Sequence, residues 1–204
     1  MNLLTKANLI YRAIIWRLTW EKRDVNYLPP DLGPKFMTAL DAARLIPDGA
    51  HVMSSGMAAS TRCTIFFWAL RELFLTTGHP KDLFWMHVGA AGGRGKLPGT
   101  IEDLAFPGLI TRFLTGHHET IKAQHKLADQ GLLELLTMPQ GVMTFLLEDQ
   151  ARGVFERVSD TGVGTFLDPR VGSGSQVIPG VGEQLISAEG DQLRYRLPKV
   201  EFAM

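Results

Sequence analysis

Apolar positions recur along this chain in two rhythms, one with helical spacing and one of short unbroken runs. Leu3, Leu4, Ala7, Ile10, Tyr11, Ile14, Ile15 and Leu18 share one helical face and predict an amphipathic N-terminal helix. A charge cluster and then Pro29, Pro30, Gly33 and Pro34 mark residues 21–35 as a linker, so the chain divides into 1–35 and a domain over 36–204. Asp31 leads towards a helix over residues 36–46, with Met37, Leu40, Ala43 and Ile46 on one face and Pro47-Asp48-Gly49 as its stop. Residues 50–53 read as a buried strand, Ser54-Ser55-Gly56 as a turn, and residues 60–76 as a helix with Phe66, Phe67, Leu70 and Leu73 as its core stripe. After a turn at His79-Pro80, residues 83–88 form a second strand running into Gly89-Ala90-Ala91-Gly92-Gly93. The alternation continues with strands over 109–114 and 132–136 and helices over 119–129 and 142–150, the last opened by Pro139-Gln140-Gly141. Residues 184–200 read as a hairpin folded at Ala188-Glu189-Gly190-Asp191.

Strands separated by helices of this length imply an α/β fold, an open and mainly parallel sheet with flanking helices. In such sheets the loops leaving the carboxyl ends of the strands form the ligand crevice. Composition agrees with a soluble globular domain: 204 residues, 45% hydrophobic and 21% charged. Lysine and arginine total 21 against 21 aspartates and glutamates, so the formal net charge is zero, which argues against a nucleic-acid partner. One cysteine, Cys63, excludes an internal disulfide framework and CxxC metal sites, and it suits a reducing, cytoplasmic location. No run is long and apolar enough for a membrane span. Lys6, Arg12 and Arg17 interrupt the N-terminal helix and no small-residue cleavage site follows, so it is not a secretory signal. That helix is expected to pack on the domain. The alternative is a basic amphipathic helix lying on a membrane or a partner.

Most motifs that could carry chemistry fail on inspection. Ser54 and Ser55 precede Gly56, but the GxSxG elbow is absent. Cys63 lies beside Arg62 within a bulky apolar helix and reads as structural. His117, His118 and His125 lack the spacing and the carboxylate of a metal set, so no metal is expected. The stretch from Gly89 to Lys96 resembles a phosphate loop until Leu97, which stands where a Mg²⁺-binding hydroxyl is required. GxGxxG is missing after Gly162-Val163-Gly164.

Two segments are more specific: Met138-Pro139-Gln140-Gly141, and Ser159-Asp160-Thr161-Gly162-Val163-Gly164-Thr165-Phe166-Leu167-Asp168-Pro169-Arg170. Together they resemble the family I coenzyme A transferases, in particular the acetate/propionate CoA-transferase branch, with its PQG turn and GxGTFxDPR block. The likeness runs from about Phe36 to Val200 and takes in Pro47-Asp48-Gly49-Ala50, Gly116-His117 and the run from Tyr195 to Phe202. Residues 1–35 lie outside it.

The resemblance implies an α domain that is one of two similar halves meeting at an active-site cleft. It implies exchange of CoA between an acyl-CoA and a free carboxylate through a glutamyl-CoA thioester, a form of covalent catalysis. Gly56, Met57 and Ala58 would supply oxyanion-loop N–H groups, although Ala58 and Ala59 stand where related enzymes often carry glycine. Gln140 and Gly141 would shape the acyl pocket. Gly162, Gly164, Thr165 and Phe166 would line the substrate and CoA cleft, and Asp168-Pro169-Arg170 would fix their loop. The nucleophilic glutamate is expected in a second, glutamate-bearing β half or subunit, since the chain stops before it. Glu201 does not match the nucleophile's position, so no catalytic residue is expected in this chain. Metal, flavin and nicotinamide are not implied, and no cofactor is expected because CoA enters as a substrate. Short-chain fatty acid or ketone-body metabolism and an oligomeric state follow from the same likeness. The alternatives are an acyl-CoA hydrolase half, or a degenerate, non-catalytic protein that binds acyl-CoA or a partner.

Overall fold

A computed structural model describes residues 2–19, 25–26, 33, 35–57, 63–93 and 98–204. Its centre is a parallel sheet of β1 (His51–Met57), β2 (Leu83–Ala90), β3 (Ile110–Thr115), β4 (Glu134–Thr137) and the short β8 (Phe202–Ala203), in the order β4-β3-β2-β1-β8. The α/β expectation holds. A second sheet, antiparallel, joins β5 (Glu156–Ser159), β7 (Gln192–Arg196) and β6 (Ile186–Glu189) in that order.

The parallel strands are buried on both faces, and successive side chains enter opposite apolar layers, as a period of two requires, except at the start of β3, where the register shifts and Ile110 and Phe113 enter the same layer. Val52, Leu83, Trp85, Phe113 and Leu135 enter one layer, with α2 (Ala39–Arg44), α3 (Thr64–Thr77) and α4 (Lys122–Asp129) packed over it. Met53, Phe84, Met86, Leu114 and Leu136 enter the other, which is closed by α5 (Gln140–Ala151) and by Ile186, Leu193 and Tyr195 of the antiparallel sheet.

Several boundaries differ from the sequence expectations. Helix α2 is capped by Thr38, whose hydroxyl accepts a hydrogen bond from the Asp41 amide at 3.0 Å. Asp31, the expected leader, lies outside the described residues. Ser54, Ser55 and Gly56 are not a turn but the end of β1, paired with His87, Val88 and Gly89 of β2. Helix α3 starts at Thr64; the expected start at Ser60 also lies outside the described residues. In α3 Phe67, Leu70 and Leu73 are buried as expected, Ala69 joins them, and Phe66 packs partly buried at the layer's margin. The 119–129 helix divides into a 3₁₀ turn at His118–Thr120 and α4. The hairpin is present as β6 and β7, turning at Gly190 and Asp191. Val25, within the expected linker, is buried in the first layer and its carbonyl accepts from the Leu40 amide.

The N-terminal helix, α1 (Leu3–Thr19), forms as the periodicity predicts. Its expected packing on the domain is not found: every side chain described on it is exposed, and none belongs to either apolar layer. No helix among the described residues is long and apolar enough to cross a membrane.

Candidate active site

The carboxyl ends of β1 to β4 gather the glycines that the sequence singled out. Gly56 and Gly89 sit side by side in register, with φ of 154° and 104°. A Cβ on Gly89 would lie 2.0 Å from the Gly56 carbonyl oxygen, so the close approach of β1 and β2 here requires glycine. One strand further along, a Cβ on Gly116 would meet the Met138 carbonyl oxygen at 2.6 Å and the Gln140 Cγ at 2.7 Å. Gln140 closes the group, since its Nε2 donates to the Gly89 carbonyl at 3.2 Å. The ends of β2 and β3 and the start of α5 are thereby held together.

Gln140 and Gly141 also open α5, whose first turn carries no acidic residue and whose N-cap, Pro139, offers no side-chain acceptor. The leading N–H groups of a helix have no carbonyl of their own helix to bond, and they favour an anionic or carbonyl oxygen. Gly141 has open space where a Cβ would lie. Met57, at the end of β1, is 68% exposed. Ala58, the third expected oxyanion-loop residue, lies outside the described residues, as do Ala59 and Ser60.

Beneath this rim is a polar contact that the sequence did not disclose. Trp85 Nε1 donates to the Ser54 hydroxyl at 2.8 Å, and the same hydroxyl lies 2.7 Å from His87 Nδ1. The Ser54 hydroxyl, accepting from the indole, thereby links Trp85 to His87. His87 Nε2 is buried without a well-formed hydrogen bond among the described residues. Burial pushes the His87 pKa down to about 4, with the backbone of Gly56 and Ala90 pulling the other way. The imidazole is therefore uncharged at neutral pH and supports the ends of β1 and β2 as a structural group.

An unfolded histidine titrates near 6.5. Since His87 holds its proton only below about 4, the unfolded chain binds more protons between these values. The stabilisation is full above about pH 6.5 and declines as pH falls towards 4. His118 adds to this in the same direction, lowered to about 4 by burial and by His125 beside it. The urea midpoint is expected to correspond to a loss of roughly 2 kcal/mol per histidine on going from neutral pH to about pH 5. His87→Gln should flatten part of that decline; an unchanged pH profile would remove His87 from it.

The GxGTFxDPR loop is bound chiefly to itself. Tyr195, fully buried, donates from its hydroxyl to the Thr161 carbonyl, and a Cβ on Gly162 would meet that hydroxyl at 2.8 Å. The Gly164 amide donates to Asp168 Oδ2 at 3.0 Å, and the Thr165 hydroxyl donates to the Gly162 carbonyl at 2.7 Å. Asp168 is buried and clasped by Arg170, whose Nε and Nη2 each lie 2.8 Å from a carboxylate oxygen. That guanidinium, with the Gly164 amide, holds the Asp168 carboxyl well below the usual carboxylate range. The expected fixing role of Asp168 and Arg170 thus has its geometry. Phe166 alone of the four expected cleft residues turns a large side chain outward, at 65% exposure. Among the described residues no hydrogen bond joins Gly162, Gly164, Thr165 or Phe166 to Gly56 or Gln140. Leu167, the next residue of the loop, belongs to the same apolar layer as Met138 and Val142.

The remaining candidates fall outside this rim. Cys63 is half-buried, and burial raises its thiol pKa, which is opposite to what a nucleophile needs. Glu201 is spent on the backbone, accepting from the His51 amide at 2.9 Å. His118 and His125 meet edge to face at 5.6 Å, and no group of three metal-ligating side chains occurs among the described residues. A concavity of about 230 Å³ on the antiparallel sheet is lined by Glu156, Arg194 and Arg196, whose charges are already paired, Arg194 with Glu156 and Arg196 with Glu183.

No protein-family model matches the chain. Among curated proteins it is 32% identical over 173 residues to the caffeate CoA-transferase of Acetobacterium woodii, covering 83% of this chain and 33% of that protein. It is 31% identical over 135 residues to the acetate CoA-transferase YdiF of Escherichia coli K12, covering 66% of this chain and 25% of that one. Among solved structures, the YdiF acyl-CoA transferase of E. coli O157:H7 in a thioester complex with CoA superposes with a TM-score of 0.70 at 26% identity, covering 82% of this chain and 35% of that chain. The glutaconate coenzyme A-transferase of Acidaminococcus fermentans shares the fold, with a TM-score of 0.56 at 19% identity over 82% of this chain and 54% of that one. The chain spans about a third of the length of the first of these curated relatives. By sequence and by fold this chain is similar to one portion of the family I coenzyme A transferases.

Proposed function

We propose that this chain is the N-terminal half or subunit of an acyl-CoA:carboxylate CoA-transferase, completed by a second half that carries the nucleophilic glutamate. The observation that supports this best is the rim at the sheet's carboxyl end. There the Gly56–Gly89 contact, the open first turn of α5 and the Gln140 bridge between α5 and β2 meet.

The chemistry balances without a cofactor. The glutamate carboxylate of the second half attacks the acyl-CoA carbonyl, forming a C–O bond, and CoA leaves as thiolate. The thiolate attacks the glutamyl carbonyl of the resulting anhydride, forming glutamyl-CoA and releasing the first carboxylate. An incoming carboxylate reverses both steps. Each attack places negative charge on a carbonyl oxygen, which N–H donors at the end of β1 and in the first turn of α5 would hold. Gln140, through its bond to the Gly89 carbonyl, keeps the two sets of donors at a fixed separation. Phe166 would offer an apolar face to the acyl or pantetheine portion.

The test is co-expression of this chain with a glutamate-bearing half and incubation with acyl-CoA and a second carboxylate. A new acyl-CoA is expected only when both pieces and the carboxylate are present. Hydroxylamine added before the carboxylate should leave a hydroxamate on a glutamate of the second half, read by mass spectrometry. Loss of acyl-CoA to water at the same rate with and without carboxylate would replace transfer by hydrolysis. Failure to form either adduct or product would overturn the proposal.

A further inference from the structure

Helix α1 carries an apolar face that enters neither of the domain's two apolar layers. Advancing ~100° per residue, Leu3, Leu4, Ala7, Ile10, Tyr11, Ile14, Ile15 and Leu18 fall within an arc of about 140°. All are exposed, the large ones from 42% for Ile15 to 83% for Leu3. The charges on this helix have one sign: Lys6, Arg12 and Arg17, with no acidic residue from Leu3 to Thr19. They are not scattered at random, for Lys6 and Arg17 lie just outside one margin of the apolar arc and Arg12 lies beyond the other. Asn8 occupies the same flank as Arg12.

We propose that α1 is an interfacial helix that docks the chain on an anionic lipid surface. Its apolar arc would enter the boundary between headgroups and acyl chains, with the helix axis parallel to the membrane plane. Lys6, Arg12 and Arg17 would then stand at headgroup level on both sides, where long cationic side chains can reach lipid phosphates while their stems cover apolar surface. The one-signed charge decides among occupants. A second copy of α1 would bring three cations against three, whereas an anionic bilayer complements them and adds attraction for each one. Spanning is not part of the proposal, since this 17-residue helix carries three cations and is not long and apolar enough to cross a membrane. The inference does not depend on the transferase reading, because α1 contributes nothing to the site described above.

The experiment is sedimentation of the full chain with vesicles of phosphatidylcholine alone and of phosphatidylcholine mixed with phosphatidylserine, at low and high salt. Binding is expected to the mixed vesicles, at least ~10-fold weaker to phosphatidylcholine alone, and to weaken as salt rises. Ile10→Asp with Ile14→Asp should abolish it by placing charge in the apolar arc. Lys6→Glu with Arg12→Glu and Arg17→Glu should abolish the preference for phosphatidylserine. Neither set touches the domain's core, so the domain's thermal midpoint should be unchanged and serves as the folding control. Absence of binding to either vesicle, or binding that survives both sets, would overturn the proposal. Concentration-dependent dimerisation in light scattering, removed by Ile10→Asp with Ile14→Asp and without vesicle binding, would overturn it in favour of a second copy as occupant.

Discussion

On the proposed function, Gly89→Ala is expected to lower CoA transfer by this chain and a glutamate-bearing half together by roughly 10²–10³-fold while the chain still folds. The added methyl would lie 2.0 Å from the Gly56 carbonyl oxygen, at a residue whose φ is 104°. Neither neighbour is a flexible side chain, so the relief must come from parting the ends of β1 and β2. That displacement moves the N–H groups following Gly56 and breaks the fit of Gln140 to the Gly89 carbonyl. A loss of this size is typical of removing one oxyanion donor. Gly49→Ala provides the comparison: its φ of 74° imposes similar backbone strain, on the order of 1 kcal/mol, but a Cβ there meets nothing within 4 Å. Turnover close to that of the unaltered protein in Gly49→Ala and collapsed in Gly89→Ala would locate the effect in the rim. Equal turnover in both would take the rim out of the mechanism, and a matching thermal midpoint in both would separate that outcome from unfolding.

Trp85→Ala should be the most damaging single truncation for stability, at about 3–5 kcal/mol. Trp85 is the largest fully buried side chain and packs edge to face against Phe67 of α3, with ring centroids 5.9 Å apart. Removing it opens a cavity between sheet and helix and also withdraws the donor that saturates the Ser54 hydroxyl. In a chain of this length the thermal midpoint should fall by about 10 °C or more. Trp85→Phe separates the two contributions, because it restores most of the volume but not the indole N–H. A loss nearer 1–2 kcal/mol is expected there, chiefly for one of the two hydrogen bonds of the buried Ser54 hydroxyl, which keeps its contact with His87. If Phe and Ala behaved alike, volume would not be what Trp85 supplies.

What could be read from the sequence was governed by how much apolar contrast each segment carries. The runs in β2 and β3 are β-prone and mainly apolar, and both strands lie within about two residues of expectation. The end of β1 was missed because Ser54, Ser55 and Gly56 are turn-formers by local preference. Their strand conformation comes from pairing with His87, Val88 and Gly89 and from burial of the Ser54 hydroxyl against two β2 side chains, neither of which is local. β5 was missed for a related reason: Glu156, Arg157, Val158 and Ser159 are half-exposed or exposed, and their pairing with β7 alone defines them as a strand. Thr38 was passed over because Asp31 competed for the same role. In the site, the PQG turn opens α5 at the place its motif implied. The GxGTFxDPR block was legible as a unit, but its inward bonding was not, since that depends on Tyr195, some 30 residues further along the chain.

The alternation of β2 between two apolar layers has a consequence for how such a chain can change in length. Inserting one residue within β2 would send Trp85 to the layer built for Phe84 and Met86, and would move every later side chain of that strand with it. Neither layer could absorb the exchange, because one is closed by helices and the other by α5 and the antiparallel sheet. Insertions and deletions should therefore be far better tolerated in the connections than within β2, where the spacing of residues is as much a determinant of the protein as their identity.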